Sequence, residues 1–133
     1  MRFEKYYLYE QKDYLTLYHG TIGKFVNDIK RNGLISRMGY DSPNWFMLSS
    51  DMESALFHTT PEENNKYVYV VEFKIPIINE KRRWIGYPYL WPPEERNDKS
   101  KWYSLRKEIP SKFINKIHKF TKDEWVDQKN KGF

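Results

Sequence analysis

Residues 14–21 read Tyr-Leu-Thr-Leu-Tyr-His-Gly-Thr and lie between an alternating segment and a helical one. Strand-forming residues alternate up to Tyr18, which predicts a β-strand that runs into His19-Gly20-Thr21. Apolar residues then recur at helical spacing over residues 22–29, and Gly33 stands where a helix-ending glycine belongs. The stretch therefore predicts a strand, a His-Gly-Thr tripeptide and a helix in direct succession.

The next part of the chain predicts a second strand, a second helix and a third strand. The apolar run 45–48 predicts a buried strand. Ser50 followed by Glu53 is a capping-box pattern, so a short helix is expected to begin at Ser50. Residues 67–75 have the clearest strand pattern, with Tyr69, Val71, Phe73 and Ile75 on one face, and Pro76 is expected to end it.

The remaining residues predict a flap, two strands and a tail. Residues 81–96 contain three prolines and are expected to form an irregular aromatic flap. Strands are predicted over residues 102–107 and 113–120, and a polar tail with Trp125 as its anchor is expected from Asp123. Two early helices and later strands predict one α+β domain over residues 1–133, with a largely antiparallel sheet.

Composition excludes several kinds of site. The chain of 133 residues has no cysteine, which excludes a disulfide framework, a zinc–thiolate site and a cysteine nucleophile. The histidines lack metal-ligand spacing, so no metal is expected. No apolar run is long enough for a membrane span or a signal peptide, so a soluble cytoplasmic protein is expected. The net charge of +5 allows contact with a polyanion, and a solvated lysine-rich surface explains it equally well.

Several short motifs stand in a definite order along the chain. They are residues 17–21 (Leu-Tyr-His-Gly-Thr), a helix ending in residues 32–34 (Asn-Gly-Leu), a strand and helix over residues 46–55, and residues 109–114 (Ile-Pro-Ser-Lys-Phe-Ile). This order resembles that of the ADP-ribosyltransferase superfamily. The resemblance implies an ADP-ribosyltransferase-like split antiparallel sheet with two short helices. It also implies NAD as co-substrate and transfer of ADP-ribose to a protein or nucleic acid. A cytoplasmic monomer of the phage or toxin-like kind is expected.

The resemblance assigns roles to the tripeptide. His19 is expected to bond the 2′-hydroxyl of the nicotinamide ribose and to act in catalysis. The Gly20 backbone is expected to hold the carboxamide, and Thr21 to support that contact. The alternative interpretation is a simple turn, in which Thr21 caps the following helix.

Three further residues are assigned to the same NAD site. Phe46 stands where many members have a tyrosine that stacks on nicotinamide, and it keeps the ring without the hydroxyl. By resemblance it is expected to act in catalysis as well. Ser49 is expected to line the pocket. Arg37 is expected to reach the pyrophosphate, although a solvated loop position explains this arginine as well.

The acid of the family is where this sequence departs from the pattern. By resemblance, a glutamate is expected near Trp102-Tyr103, and neither residue is acidic. Glu108 is the nearest acid and is the predicted catalytic glutamate, although it lies at the other end of the strand and a solvated turn explains it too. Glu94 and Glu95, on the flap, are the other candidates.

Two classes of function follow. The first is an NAD-dependent mono-ADP-ribosyltransferase. The second is a catalytically degenerate module of the same fold that binds a nucleotide, nucleic acid or protein partner. A basic RNA-binding domain that uses the aromatic flap is a third interpretation.

Overall fold

The computed structural model of the chain describes residues 14–35, 47–61, 66–76, 86, 88–95 and 100–131. The elements are β1 (Tyr14–Ile22), α1 (Gly23–Asn32), β2 (Met47–Ser49), α2 (Met52–Phe57), β3 (Tyr67–Pro76), β4 (Glu94–Glu95), β5 (Lys101–Ser104), a 3₁₀ turn (Ser111–Phe113), β6 (Ile114–Thr121) and α3 (Lys122–Asn130).

The strands form one six-stranded sheet in the order β4-β5-β2-β1-β3-β6. Every neighbouring pair is antiparallel. The longest ladder joins β1 to β3 over nine residue pairs, from Tyr14 opposite Pro76 to Ile22 opposite Val68. The predicted α+β class with an antiparallel sheet is thereby confirmed.

Among the described residues, β1 and β2 are the neighbouring strands with the fewest paired residues. Within the described residues these strands share one residue pair, Tyr18 opposite Ser49. The sheet therefore consists of two halves, β4-β5-β2 and β1-β3-β6, and the junction between them lies directly before His19.

The two faces of the sheet carry separate apolar clusters, because side chains alternate along each strand. Leu17, Val71 and Phe73 pack with Val26 and Ile29 of α1. This larger cluster also holds Ile75, with Tyr69 packed against it, which confirms the predicted face of β3.

On the opposite face, Val68 and Val70 pack with Ala55 and Leu56 of α2. Trp125 of α3 packs against this smaller cluster. The two helices therefore cover only one end of this face.

Gly33 ends α1 as predicted. Its φ is 81°, and its N–H donates to the carbonyl oxygen of Ile29 at 2.8 Å. A Cβ at this position would lie 2.1 Å from the carbonyl oxygen of Ile109. Only glycine meets both conditions without strain.

Several predicted boundaries were wrong. Thr21 lies inside β1, and Ile22 is the residue before α1, so Thr21 is not a helix cap. Asp51, and not Ser50, caps α2, because its carboxylate accepts from the Ser54 N–H. The hydroxyl of Ser50 instead accepts from the Lys101 N–H at 3.0 Å.

The later boundaries also differ. The expected polar tail is the helix α3, which begins with a capping box between Thr121 and Glu124. Trp125 does anchor this segment, since its Nε1 donates to the Thr59 carbonyl oxygen. Strand β4 forms within the flap that was expected to be irregular, because Glu94 follows the last proline and pairs with Trp102 of β5.

The last two strands are shifted. β5 begins at Lys101 and ends at Ser104, well before residue 107. A 3₁₀ turn occupies Ser111–Phe113, so β6 begins at Ile114.

Candidate functional site

The His-Gly-Thr tripeptide is the last part of β1, and strand alternation decides where its side chains go. His19 and Thr21 share the α1 face with Leu17, and each is only 1% exposed. Gly20 lies between them and faces α2. The structure therefore brings the predicted imidazole and hydroxyl together, in a buried part of the sheet.

The imidazole of His19 connects β1 to β2, at the junction between the two halves of the sheet. Its Nδ1 lies 2.9 Å from the carbonyl oxygen of Met47 in β2. A carbonyl oxygen can only accept, so Nδ1 carries the proton and Nε2 is the accepting nitrogen of the neutral ring. Burial lowers the pKa of His19, an effect that the bond to Met47 offsets only in part. The site thus holds a neutral imidazole suited to accept a hydroxyl proton in a hydrogen bond.

Thr21 holds an unsatisfied polar atom. Its Oγ1 is buried and has no hydrogen-bond partner among the described residues. Leaving a buried hydroxyl unpaired costs about 1–3 kcal/mol, and native structures seldom retain such a cost without a reason.

Gly20 allows α2 to approach β1 closely. A Cβ at this position would lie 1.6 Å from Thr59 Oγ1 and 2.6 Å from the carbonyl oxygen of Ala55. Packing therefore demands a glycine here, whether or not its backbone also meets a ligand.

Ser49 is fully buried, but on the other face. It lies opposite Tyr18 in the ladder, and residues paired in this way project to the same side of a sheet. Its hydroxyl accepts from the Asp51 N–H at 3.0 Å, where α2 begins. The structure therefore does not place Ser49 beside His19. Phe46 and Arg37, the other two predicted NAD contacts, lie outside the described residues.

The candidate acids are spread over the far half of the sheet. None of the four residues of β5 is acidic, and the buried Tyr103 lies opposite Leu48 on the His19 side. Glu108 is exposed and precedes Ile109, which bridges to Leu34. The side chain of Glu94 is exposed at the β4 edge, and Glu95 is its neighbour in β4.

The structure also shows a buried polar contact that the sequence analysis missed. The Ser54 and Ser100 hydroxyls lie 2.5 Å apart, and Ser54 Oγ also lies 3.2 Å from the Asp51 carboxylate. The three-residue spacing of Asp51 and Ser54 is typical of a helix cap and could have indicated their contact. Ser100 is too distant in sequence to be predicted as a partner of Ser54. These hydroxyls tie the start of α2 to the start of β5.

The described residues contain no group of three or more side chains placed to hold a metal ion. Among the same residues, no helix is long and apolar enough to cross a membrane.

Comparison with models of protein families, with curated proteins and with solved structures gave no match to this chain.

Proposed function

We propose that the protein binds NAD where β1 and β2 diverge and transfers its ADP-ribose to a protein or nucleic acid. The unsatisfied Thr21 hydroxyl beside His19 is the observation that carries this proposal. A buried polar atom without a protein partner is what a ligand hydroxyl or amide satisfies. The order of the sequence motifs and the two-part sheet support the same assignment.

The residues present fit a dinucleotide in defined ways. The neutral His19 accepts a hydrogen bond from a ribose hydroxyl through Nε2, while Met47 holds the ring in orientation. Thr21 Oγ1 gains the partner that it lacks, and the Gly20 backbone holds the carboxamide. When bound, NAD supplies a glycosidic bond whose cleavage releases nicotinamide and makes ADP-ribose available to an acceptor. Because both side chains are almost fully buried, the contacts form away from water, where each hydrogen bond is strong.

A binding module without transferase activity is the second candidate, and one observation favours it. No residue of β5 is acidic, so this strand brings no carboxylate to the face of the sheet that carries His19. Glu108 is exposed beyond the end of that strand, so a catalytic role requires an approach of this turn to the bound ribose. Transfer therefore depends on Glu108, Glu94 or Glu95, while binding does not.

Binding and transfer are measured separately to distinguish the two candidates. Calorimetric titration with NAD tests binding by the wild type and by Thr21→Val. Incubation with NAD labelled on the adenylate phosphate and a cell lysate tests transfer, with and without protease or nuclease. A transferase labels an acceptor that one of these treatments removes, and it releases nicotinamide. Binding without label indicates the module, and no binding by the wild type overturns both candidates.

The role of Glu108 has its own variant. As a catalytic acid, Glu108→Gln lowers transfer by about 100-fold or more and leaves NAD affinity unchanged. Glu53→Gln, at an exposed position of α2, is the matched control. Transfer at the wild-type rate in Glu108→Gln would remove this residue from the mechanism, and Glu94→Gln then tests the other acid.

A further inference from the structure

The face of the sheet opposite His19 carries a group of ionisable side chains that the NAD proposal does not use. Tyr18, Glu72 and His118 come from the adjacent strands β1, β3 and β6, and we call them the open-face cluster. The side chains of Glu72 and His118 are 14% and 17% exposed. Tyr18 is also partly exposed, so a ligand can reach the exposed part of each side chain.

Glu72 holds His118 in one orientation. His118 Nε2 lies 3.1 Å from one carboxylate oxygen of Glu72, and Asn115 Nδ2 donates to the other oxygen. Burial alone would raise the pKa of Glu72, but these hydrogen bonds and the charges of His118 and Lys74 bring it below its ordinary value.

The ionised carboxylate decides which nitrogen of His118 carries the proton. A carboxylate only accepts, so Nε2 carries a proton towards Glu72, and Nδ1 is the nitrogen left to exchange a proton with a substrate. This is how a carboxylate orients a catalytic histidine. The pair therefore has the arrangement of a general base.

Tyr18 supplies a proton donor beside this base. Its ring centroid lies 6.4 Å from that of His118, at an angle of 52°. Burial raises the pKa of Tyr18, and the negative charges of Glu72 and Asp51 raise it further. The hydroxyl therefore keeps its proton at neutral pH.

Cations and an exposed ring surround the cluster. Lys116 lies opposite Glu72 in the ladder and Lys74 follows two residues later in β3, so both exposed lysines share this face. Tyr14, 40% exposed, lies on the same face four residues before Tyr18. Lysines of this kind hold phosphates, and exposed rings stack on the bases of single strands.

We propose that the open-face cluster cleaves single-stranded RNA without NAD, using the ribose 2′-hydroxyl as nucleophile. A base, an acid and phosphate-binding cations are together what such a reaction requires, because RNA carries the nucleophile next to the scissile phosphate. The site is separate from the NAD site, since it lies on the other face of β1.

In the proposed cleavage step, two protons move, one bond forms and one bond breaks. His118 Nδ1 takes the proton of the 2′-hydroxyl as O2′ bonds to phosphorus. The bond between phosphorus and O5′ breaks, and the Tyr18 hydroxyl gives its proton to the leaving O5′. Lys74 and Lys116 stabilise the charge that grows on the phosphate oxygens. The products are a 2′,3′-cyclic phosphate and a 5′-hydroxyl, and proton return from His118 to Tyr18 through water restores the enzyme.

The test uses the full chain, a fluorescent single-stranded RNA and a chelating buffer without NAD. The wild type is expected to cleave the RNA to cyclic-phosphate ends, to spare DNA of the same sequence, and to spare a site with one 2′-deoxyribose. His118→Asn and Tyr18→Phe are expected to lower the rate by about 100-fold each. The matched controls are His58→Asn, at an exposed position, and Tyr67→Phe, on the other face of β3. Both controls keep the wild-type rate.

Three outcomes would overturn the proposal. They are an intact RNA with wild-type protein, cleavage of the DNA, and a wild-type rate in Tyr18→Phe. Tyr18→Phe removes one oxygen from a partly exposed ring, so this variant decides the question even if His118→Asn fails to fold. A thermal melt of each variant, followed by circular dichroism, checks that the fold is retained.

Discussion

The two faces of β1 provide opposite environments within a few residues. His19 and Thr21 are 1% exposed on the α1 face, where burial favours the neutral imidazole and the hydroxyl has no partner among the described residues. Tyr18 belongs to the open-face cluster, whose carboxylate and imidazole are partly exposed and share their face with two exposed lysines. The residues are adjacent in sequence, and only the alternation of the strand separates them.

This difference shows that burial decides what each group can do. On the buried α1 face, a charge is costly, so the groups act by hydrogen bonding and by excluding water. On the open face, water and neighbouring charges support ionised groups, so proton transfer becomes available. Four experiments break or sharpen this contrast.

The largest effect is expected at Gly20, whose missing side chain lets α2 pack directly on β1, on the face opposite His19. Gly20→Ala should lower the free energy of unfolding by about 3 kcal/mol, because the new Cβ overlaps Thr59 and Ala55. Urea denaturation measures the loss. Adding Thr59→Ala should recover part of it, since the clash with the backbone oxygen of Ala55 persists. Wild-type stability in the single variant would contradict the close packing.

His19 comes next. His19→Ala should cost about 2 kcal/mol, through the cavity and the lost bond to Met47. In the unfolded chain the imidazole has its ordinary pKa of 6.5, whereas burial lowers the pKa in the folded protein. The unfolded chain therefore binds more protons below pH 6.5, and stability falls as the pH drops below that value.

A pH series of denaturation curves isolates this contribution. The wild type should lose stability from about pH 6.5 downward, and His19→Gln should lack that part of the loss. His58→Gln, at an exposed position, is the control that retains it. An identical pH dependence in the wild type and in His19→Gln would show that His19 is not held neutral.

Glu72 tests the open face in a different pH range. Its pKa in the folded protein is lowered from 4.5, so its contribution is present above pH 4.5 and is lost as the pH falls through the folded value. Glu72→Gln should remove this contribution and cost about 1 kcal/mol or less at neutral pH. Glu53→Gln is the control. A larger loss in Glu72→Gln than in His19→Ala would reverse the ranking of the two faces.

The smallest effect on stability is expected at Thr21. Thr21→Val replaces the unpaired hydroxyl with a methyl group of similar size, so stability should stay constant or rise by about 1 kcal/mol. NAD affinity should fall about tenfold, which corresponds to one lost hydrogen bond. Thr16→Val, on the open face, is the control that leaves affinity unchanged. A marked loss of stability in Thr21→Val would mean that the hydroxyl has a structural partner.

Sequence patterns predicted the structure best where one local pattern was enough. Alternation gave the extent of β3 and its core face, and Gly33 marked the end of α1 because a positive φ favours glycine. Helix α3 was not predicted, because its polar residues show no apolar stripe. That helix is held by a capping box and by Trp125 reaching Thr59, a contact between distant segments.

The same distinction between local patterns and distant contacts applies to the candidate site. The residues of the His-Gly-Thr tripeptide were identified from sequence, because strand, motif and helix are contiguous. The sequence did not show that Ser49 lies on the opposite face from His19, or that Glu72 and His118 meet. Nor did it show that the Thr21 hydroxyl has no partner within the described part of the chain. Each of these facts depends on strand register.

The sequence by itself determined the α+β class, the strand-to-helix course around His19 and the need for glycine at position 33. These are short-range matters of side-chain period and backbone conformation. Only the tertiary structure decided that one imidazole is sealed and neutral while another is oriented by a carboxylate from a neighbouring strand. The physical reason is that burial and strand pairing are set by residues far apart in the chain, and they determine which groups can carry charge.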